Sequence, residues 1–310
     1  MQLANSPVGD PILRRHVRRA TRADAAAVQR LLRMGVYIHL HVDWRLPGDW
    51  LGTPGFVVYD KSWDADNGAP PAHPTRSRPA NITSCLAVSA DPPPAAWVRV
   101  AAADSAAGYA QSEAMFAAIL AGLDPEVDEV AWFMTDNWPL HWLDRLGFNQ
   151  VSTVLAYRKE GLEYGPFAAP PGLDVRPVLV EELPALAAIE VAAFEPRWRH
   201  SAESLYLAWR QSASFDVALL EGELAGFQFS TSYNGNAHLV RMTVRPDRQG
   251  MGIGAALLAH ALDGYRARRL RSVTLNTQAD NVASQRLYGR FGFQPTGSRY
   301  PVWAYYPARG

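Results

Sequence analysis

The sequence predicts a mixed α/β (α+β) layer fold made of two copies of one domain. In the second half, apolar segments with strand-like alternation precede longer segments with helical periodicity, as in a sheet flanked by helices. The two halves also share one order of segments. Each opens on a short strand and an Ala/Leu-rich helix, and each closes on a Gly-Phe pair. A repeat this long indicates duplicated domains, because solenoid repeats are shorter.

A segment rich in glycine and proline separates the halves. Residues 161–172 interrupt any helical or strand periodicity, so we expect a linker there. The predicted domains are residues 1–165 and 166–310, each a mixed, mostly antiparallel sheet flanked by helices. A second Pro-rich stretch, residues 64–79, is expected to be a surface loop of the first domain.

The individual elements follow from local patterns. In the first half a strand is expected at residues 17–20 and a helix from residue 24, and their counterparts in the second half lie at 175–178 and 181–194. A longer helix is expected after residue 252, because apolar residues recur every four positions there. The remaining elements predicted in the second half are strands 215–220, 224–231, 238–244, 272–277 and 302–306, and helices 252–269 and 281–291.

Composition excludes several classes of protein. Hydrophobic residues make up 48% and charged residues 19% of the chain, which excludes a largely disordered protein. The net charge is zero, which disfavours a nucleic-acid partner. Cys85 is the only cysteine, so a disulfide within the chain and a cysteine-rich metal site are excluded. We find neither a membrane-spanning apolar run nor a signal-peptide core, and therefore expect a cytoplasmic protein with no membrane partner.

The most informative segment leaves a predicted strand and opens a predicted helix. Gln249, Gly252 and Gly254 stand at Q-x-x-G-x-G spacing. Glycines let backbone amides approach a ligand closely, and a helix N-terminus adds unpaired N–H groups, so the segment can hold a phosphate. It lacks the Gly-Lys-Ser/Thr of a Walker loop and the glycine spacing of a Rossmann fingerprint. A glycine-rich turn without a ligand is the alternative.

A second motif follows at a fitting distance. Asn281, Leu287, Tyr288 and the pair Gly292-Phe293 match an N-x-x-A-x-x-L-Y-x-x-x-G-F pattern, with Ala283 in the adjoining position. With both motifs, the second half, over about residues 173–306, resembles the GNAT superfamily of acyl-CoA-dependent N-acyltransferases.

The resemblance implies acetyl-CoA as co-substrate, a small amine as acceptor and no metal. It implies that loop amides bind the CoA pyrophosphate, that Asn281 bonds the pantetheine arm, and that Tyr288 protonates the departing thiolate. A phenol, with a pKa of about 10, keeps its proton at neutral pH. For Tyr288 a half-buried packing role is the alternative. The expected cofactor-binding residues are Met242, Thr243, Val244, Arg248, Gln249, Gly250, Met251, Gly252, Ile253, Gly254, Ala255, Asn276, Asn281, Ser284 and Tyr288.

The base that deprotonates the amine is left open. His238 is the first candidate, because strand alternation places it on the face of Met242 and Val244 and because histidine titrates near neutral pH. A partly exposed strand histidine without function is the alternative. Other candidates are an ordered water and the carboxylates of Glu190, Glu195 and Glu203.

The first half is a weaker copy. Residues 100–108 have the spacing of 244–252, with Asp104 in the place of Arg248 and Ala106 in the place of Gly250. An acid repels phosphate, so we expect a degenerate domain that is not catalytic, although it could shape the acceptor site. Five tryptophans of this half could line a pocket, although aromatic residues at such positions are more often part of the core: Trp44, Trp50, Trp132, Trp138 and Trp142. His39, His41 and Asp43 have a strand spacing that could bind a metal ion, although such an isolated cluster is usually structural or exposed.

The expected protein is a tandem N-acetyltransferase, monomeric or homodimeric. Its second domain would move acetyl from acetyl-CoA directly to an amine in a ternary complex. One alternative is an acetyltransferase like mycothiol synthase, which has the same two-domain layout. Another is a non-catalytic acyl-CoA sensor or scaffold. Tyr288 argues against the scaffold, because binding alone needs no acid.

Overall fold

The computed structural model describes residues 10–63 and 80–308, and the predicted Pro-rich loop at 64–79 lies outside these ranges. The chain forms two compact units. Unit 1 comprises the residues up to 151 and those from 302 onward, and unit 2 comprises residues 152–301. Within the described residues, no helix is long and apolar enough to cross a membrane.

Unit 1 has a mixed sheet in the order β1-β3-β4-β5-β6-β13, and β2 pairs with part of β5. The strand pairs are antiparallel except for β5 with β6. Its helices are α1 (Pro11–Arg14), α2 (Ala25–Met34), α3 (Gly108–Ala121) and α4 (Leu140–Leu143), and its strands are β1 (Val17–Arg19), β2 (Tyr37–Leu40), β3 (Phe56–Asp60), β4 (Ile82–Ala90), β5 (Ala95–Ala103), β6 (Glu129–Phe133) and the end of β13 (Gln294–Tyr305).

Unit 2 repeats this design, with sheet order β7-β12-β11-β10-β9-β8. Only β11 and β12 are parallel among the pairs β7–β12, β12–β11, β11–β10, β10–β9 and β9–β8. The predicted fold class, mixed and mostly antiparallel sheets with helices, is therefore confirmed. Its helices are α5 (Leu183–Ala193), α6 (Ala202–Gln211), α7 (Ile253–Ala267) and α8 (Val282–Arg290), and its strands are β7 (Asn149–Glu160), β8 (Leu173–Pro177), β9 (Ser214–Leu220), β10 (Glu223–Tyr233), β11 (Asn236–Val244), β12 (Ser272–Gln278) and the start of β13.

Each repeat gives its last strand to the other unit. Strand β7 closes the first half of the sequence, yet its residues 154–160 pair with β12 in unit 2. Strand β13 closes the second half, and its residues 302–305 pair with β6 in unit 1. The compact units therefore differ in their bounds from the predicted domains at 1–165 and 166–310, because local patterns reveal a strand but not its partner.

A shared ion pair marks the duplication. In unit 1, Arg18 on β1 donates to Asp24, six residues later, which also accepts from the backbone N–H three residues before it. In unit 2, Arg176 on β8 pairs with Glu182 in the same way and at the same spacings. In both units the acid joins the first strand to the start of the first long helix, which supports the repeat inferred from sequence.

The core of unit 2 lies between the sheet and α7 and α8. Helix α7 buries Leu257, Leu258, Leu262 and Tyr265 against β9 to β12, as its four-residue spacing predicts. Full burial of one such side chain stabilises a fold by about 1.5–3 kcal/mol, so this face fixes the position of α7 on the sheet.

Candidate active site

The site in unit 2 begins where two parallel strands part. Strands β11 and β12 pair from Asn236↔Ser272 to Leu239↔Leu275. Both strands continue beyond that point, but no longer pair with each other. A β-bulge on the other edge of β11 coincides with the parting, because Phe229 pairs with Arg241 while Ser230 pairs with Leu239. The extra residue, Val240, bends β11 away from β12.

The parting exposes backbone groups of β11. The N–H of Arg245 bonds to the carbonyl of Ala225 on β10. Peptide groups alternate in direction along a strand, so those of Met242 and Val244 point to the opening, whereas that of Thr243 points to β10. The opening can therefore take one further extended chain along Met242 and Val244, two of the residues expected to bind the cofactor. The side chain of Gln249 donates to the carbonyl of Val244 at 3.2 Å and so ties the glycine loop to this edge.

The glycine loop ends at the N-terminus of α7. Gly250 and Gly252 have φ of +78° and +86°, a region that other residues rarely adopt. Gly252 is the N-cap and no side chain caps the helix, so the N–H groups of its first turn, from Ile253 to Ala255, stay available. At Gly254 an added Cβ would lie 3.4 Å from Leu287 of α8, which places these two residues side by side.

The arginines of this loop are already paired. Arg245 lies 2.7 Å from Asp247, and Arg248 lies 3.3 Å from Glu223. For Arg248, predicted to bind the cofactor, the structure shows this partly exposed carboxylate as partner, and an anionic ligand would have to compete with it. Met251 is 47% exposed at the tip of the loop.

Helix α8 places three predicted residues together. Asn281 is the N-cap, and its side-chain oxygen accepts from the N–H of Ser284 at 3.1 Å, which leaves its amide N–H₂ to donate elsewhere. Tyr288, one turn further on, is buried. Burial raises the pKa of Tyr288 to about 12, although a hydrogen bond with Ser284 and the charge of Arg241 act to lower it. Asn276 is the first residue of β12 beyond its pairing with β11 and is exposed.

The predicted face of His238 is wrong. Leu239, Met242 and Val244 pack toward α7, because the bulge at Val240 shifts the alternation by one residue. His238 therefore lies on the opposite face, where its Nδ1 is 2.8 Å from the hydroxyl of Thr274. Burial lowers the pKa of His238, so the imidazole is neutral at neutral pH.

A buried ionic cluster occupies the same face of β11 as His238. Glu190 of α5 is fully buried and accepts from Arg241 at 3.0 Å, from the Nδ1 of His200 at 3.0 Å, and from Thr243 at 3.3 Å. Burial acts to raise the pKa of Glu190, but Arg241 and His200 reverse this and lower it.

These contacts remove Glu190 from the candidate bases and fix the segment between α5 and α6 on β11. Arg241 also donates to the carbonyl of Trp198 and lies 4.4 Å above the ring of Phe194. Sequence reasoning missed this role for Arg241 and His200, because no local motif joins them to Glu190. Glu195 is largely exposed and pairs with Arg197 at 3.5 Å, and Glu203 lies in the first turn of α6, outside the buried cluster.

The corresponding opening in unit 1 is filled. Strands β5 and β6 pair only as far as Trp97↔Ala131, and a bulge at Arg99 corresponds to that at Val240. Beyond it, β2 pairs with β5 from Tyr37↔Ala103 to Leu40↔Val100. Trp138 donates its indole N–H to the carbonyl of Ile38 at 2.9 Å and holds β2 there.

The helix N-terminus of unit 1 is filled as well. Only residues 104–107 connect β5 with α3, against residues 245–252 between β11 and α7. The residue-by-residue match of 100–108 to 244–252 is therefore wrong, since Val100 lies inside its strand whereas Val244 ends its strand. An added Cβ at Gly108 would lie 2.5 Å from Ala103 and 3.2 Å from Trp142, so the first residue of α3 is closely surrounded by side chains.

The other candidate features of unit 1 have structural roles. His39 is buried, and burial lowers its pKa to about 4; His41 stacks on Trp97, and Asp43 pairs with Arg99 at 3.1 Å. Among the described residues, no three His, Cys, Asp or Glu side chains are grouped as for a metal ion. The buried core takes in three of the predicted pocket tryptophans: Trp50, Trp132 and Trp142.

The residues of unit 2 fit an acyl-CoA. An uncapped helix N-terminus with two positive-φ glycines suits a diphosphate. A free strand edge suits the amides of a pantetheine arm.

Comparisons with known proteins agree with a fold of two acetyltransferase-like repeats. The family model described as "Acetyltransferase (GNAT) family" matches residues 183–293, from α5 to the end of α8. A GCN5-related N-acetyltransferase from Sphaerobacter thermophilus has a similar structure, with a TM-score of 0.58 and 18% identity, over 95% of this chain and 96% of that one. Both repeats therefore belong to a fold that extends over the whole of another protein.

Two curated relatives are similar to part of this chain. The mycothiol acetyltransferase of Clavibacter michiganensis subsp. michiganensis is 42% identical over 86 residues, 26% of this chain and 28% of that protein. A Bacillus subtilis protein, provisionally assigned as a ribosomal protein bS18 alanine N-acetyltransferase, is 26% identical over 125 residues, 40% of this chain and 83% of that protein. The match thus spans less than a third of the first relative's length. Residues 183–293 of this chain form a domain of the GNAT acetyltransferase family.

Proposed function

We propose that this protein is an N-acetyltransferase that binds one acetyl-CoA, in unit 2, and transfers the acetyl group to a small amine in a ternary complex. The observation that supports this most directly is the opening between β11 and β12, which has an uncapped helix N-terminus at one end and buried Tyr288 beside it. Acetyl-CoA supplies an activated acetyl thioester. The residues of the chain bind it, orient it and move two protons.

The binding roles follow from the geometry. The amides from Gly250 to Ala255 hold the diphosphate, and the backbone of Met242 and Val244 pairs with the pantetheine arm. The free amide of Asn281 donates to the same arm. Because these groups are fixed by β11, α7 and α8, the thioester is oriented before the amine arrives.

Two proton transfers accompany the exchange of a C–S bond for a C–N bond. The amine attacks the acyl carbon and gives up a proton, which His238 accepts. This imidazole is neutral because its pKa is lowered, and it lies on the face of β11 that α7 does not cover. The thiolate leaves and takes a proton from Tyr288, whose raised pKa keeps the phenol protonated at neutral pH.

The acceptor has a more specific candidate. The match to a mycothiol acetyltransferase favours the amine of a mycothiol precursor, and it is the observation behind the alternative of an acetyltransferase like mycothiol synthase. Turnover of such an amine, compared with simple alkyl amines, distinguishes the two. The scaffold alternative predicts acetyl-CoA binding without turnover of any amine.

Calorimetric titration with acetyl-CoA tests the proposal. We expect one site per chain, lost in Gly252→Asp, because the aspartate adds negative charge at the diphosphate and strains a positive φ. Ala107→Asp, at the equivalent N-cap of α3 in unit 1, should leave binding unchanged. Two sites in the wild type would show that unit 1 binds acetyl-CoA as well, and loss in Ala107→Asp only would assign the cofactor to unit 1 instead of unit 2. Absence of binding would end the acetyltransferase proposal.

A further inference from the structure

Contacts with the rest of unit 2 hold the segment between the repeats at its start, in its middle and at its end. Residues 161–172 form neither helix nor strand, as predicted. At the start of the segment, the N–H of Gly161 bonds to the carbonyl of Arg271, and Leu162 is buried in the core with α7 and α8. At its end, the carbonyl of Gly172 accepts from the N–H of Glu221. The segment therefore follows a fixed path.

That path leads to the glycine loop. Tyr164 donates to Asp263 of α7 at 2.9 Å. Pro170 lies at the other end of the helix, where its Cγ is 3.4 Å from the position of a Cβ on Gly252. Eleven residues of helix separate these two contacts, or roughly 16 Å at about 1.5 Å per residue. The segment thus passes along α7 to the N-terminus at which the diphosphate is proposed to bind.

Two ring side chains of the segment follow Tyr164 on the path to this end. Phe167 packs on Phe291 of α8 at 6.2 Å between ring centres, and Pro170, three residues later, lies beside Gly252 of the loop. Both are only half-buried, so each keeps part of its surface exposed.

The chemistry of CoA gives this surface a role. Pantetheine leaves the diphosphate on one side and enters the opening between β11 and β12, so the 3′-phosphoadenosine must extend from the other side. A purine binds by stacking its face on aromatic or other apolar ring surfaces.

We propose that residues 161–172 form a wall of the acyl-CoA site, in which Phe167 and Pro170 contact the adenosine of CoA. This inference rests on the proposed function and adds to it a group of residues outside the two motifs. It also gives the connection between the repeats a part in binding, in addition to its part in the chain path.

Comparing two ligands with two variants tests the proposal. S-acetyl-4′-phosphopantetheine keeps the thioester and one phosphate of acetyl-CoA but lacks adenosine. We expect Phe167→Ala to weaken acetyl-CoA by roughly five-fold or more, the range of base–aromatic stacking, and to leave the truncated ligand unchanged. Phe167→Leu keeps apolar bulk on Phe291 and should show a smaller loss with the same ligand dependence. Tyr206→Ala, on α6, is the control and should change neither affinity.

Each other outcome has a definite meaning. An equal loss for both ligands would show that Phe167 only supports the loop, and unchanged affinity for acetyl-CoA in both Phe167 variants would remove the segment from the site. Either result overturns this inference while the proposed function stands. Failure of the wild type to bind acetyl-CoA would instead overturn the proposed function itself.

Discussion

The two repeats share one strand geometry, but the opening that it creates is filled in unit 1 and open in unit 2. In both, a bulge bends the strand before the long helix away from its parallel neighbour, at Arg99 in β5 and at Val240 in β11. In unit 1, β2 and its aromatic neighbours fill the resulting opening, whereas in unit 2 it is free. The bulge alone therefore does not make a binding site. What decides is whether the exposed edge already has a partner.

The difference also separates two ways of losing a site. Replacement of the phosphate-binding residues leaves a cleft that a few substitutions could restore. An internal strand hydrogen-bonded along that edge removes the space itself, and the shortened connection at residues 104–107 removes the loop. Unit 1 shows the second kind of loss.

The largest effect is expected from separating the repeats. A fragment of residues 166–310 lacks β7, so the edge of β12 from Ser272 to Gln278 would be exposed. We expect this fragment to be unfolded or aggregated, whereas residues 152–301 should unfold cooperatively with heat. Circular dichroism and size-exclusion chromatography measure this. Equal stability of the two fragments would show that the exchanged strand does not matter.

The next effect concerns Tyr288, the proposed acid, which lies beside the open strand edge of unit 2. Tyr288→Phe should lower kcat by about 10²–10⁴-fold with acetyl-CoA affinity little changed, because the ring stays in place and only the hydroxyl group that donates the proton is removed. Tyr37→Phe, in the filled opening of unit 1, should leave kcat at the wild-type level. Steady-state kinetics with thiol detection makes the comparison. A kcat loss shared by both variants would contradict the division of labour between the units.

A smaller effect is expected in the pH profile. The base must be neutral to accept a proton, so kcat/KM should fall as pH falls through the pKa of His238, which burial places below its ordinary value. His238→Gln should remove this acid limb and lower the rate at neutral pH. His39→Gln, which replaces a buried histidine of β2 in the filled opening of unit 1, should keep the limb, provided that thermal unfolding confirms a folded variant. If the limb survives in His238→Gln, another base acts.

The smallest perturbation uses no substitution. Those backbone amides of β2 (Tyr37–Leu40) that donate to β5 should exchange slowly with and without acetyl-CoA, because they are already hydrogen-bonded. The amides of Met242 and Val244 should become protected only when acetyl-CoA is added. Hydrogen exchange followed by mass spectrometry measures both regions in one sample. Ligand-dependent protection in β2 would show that unit 1 also opens and binds.

Local patterns were enough to predict α2, α5, α7 and α8, the glycine loop and the duplication. The apolar period of α7 and the spacing of Gln249, Gly252 and Gly254 are visible in a short window, and so is the Arg–acid spacing of both repeats. Non-local pairing lay outside such windows. The partner of β7, the insertion of β2 beside β5, and the contact of Arg241 with Glu190 each join residues far apart in sequence.

The position of His238 failed for a different reason. Alternation along a strand holds only while the register is regular, and one extra residue reverses every side chain beyond it. Val240 has no feature in the sequence that announces a bulge. Its equivalent, Arg99, differs in charge and size, so comparison of the repeats would not have revealed it either.

The exchange of final strands also sets an order for synthesis. As the chain leaves the ribosome, β6 of unit 1 remains unpaired on one edge until β13 is made, about 175 residues later by the pairing of Val130 with Tyr305. Strand β7, by contrast, is made before the rest of unit 2 and is present when β12 appears. The half made first is therefore the half completed last, and until then its unpaired β6 edge is open to other chains.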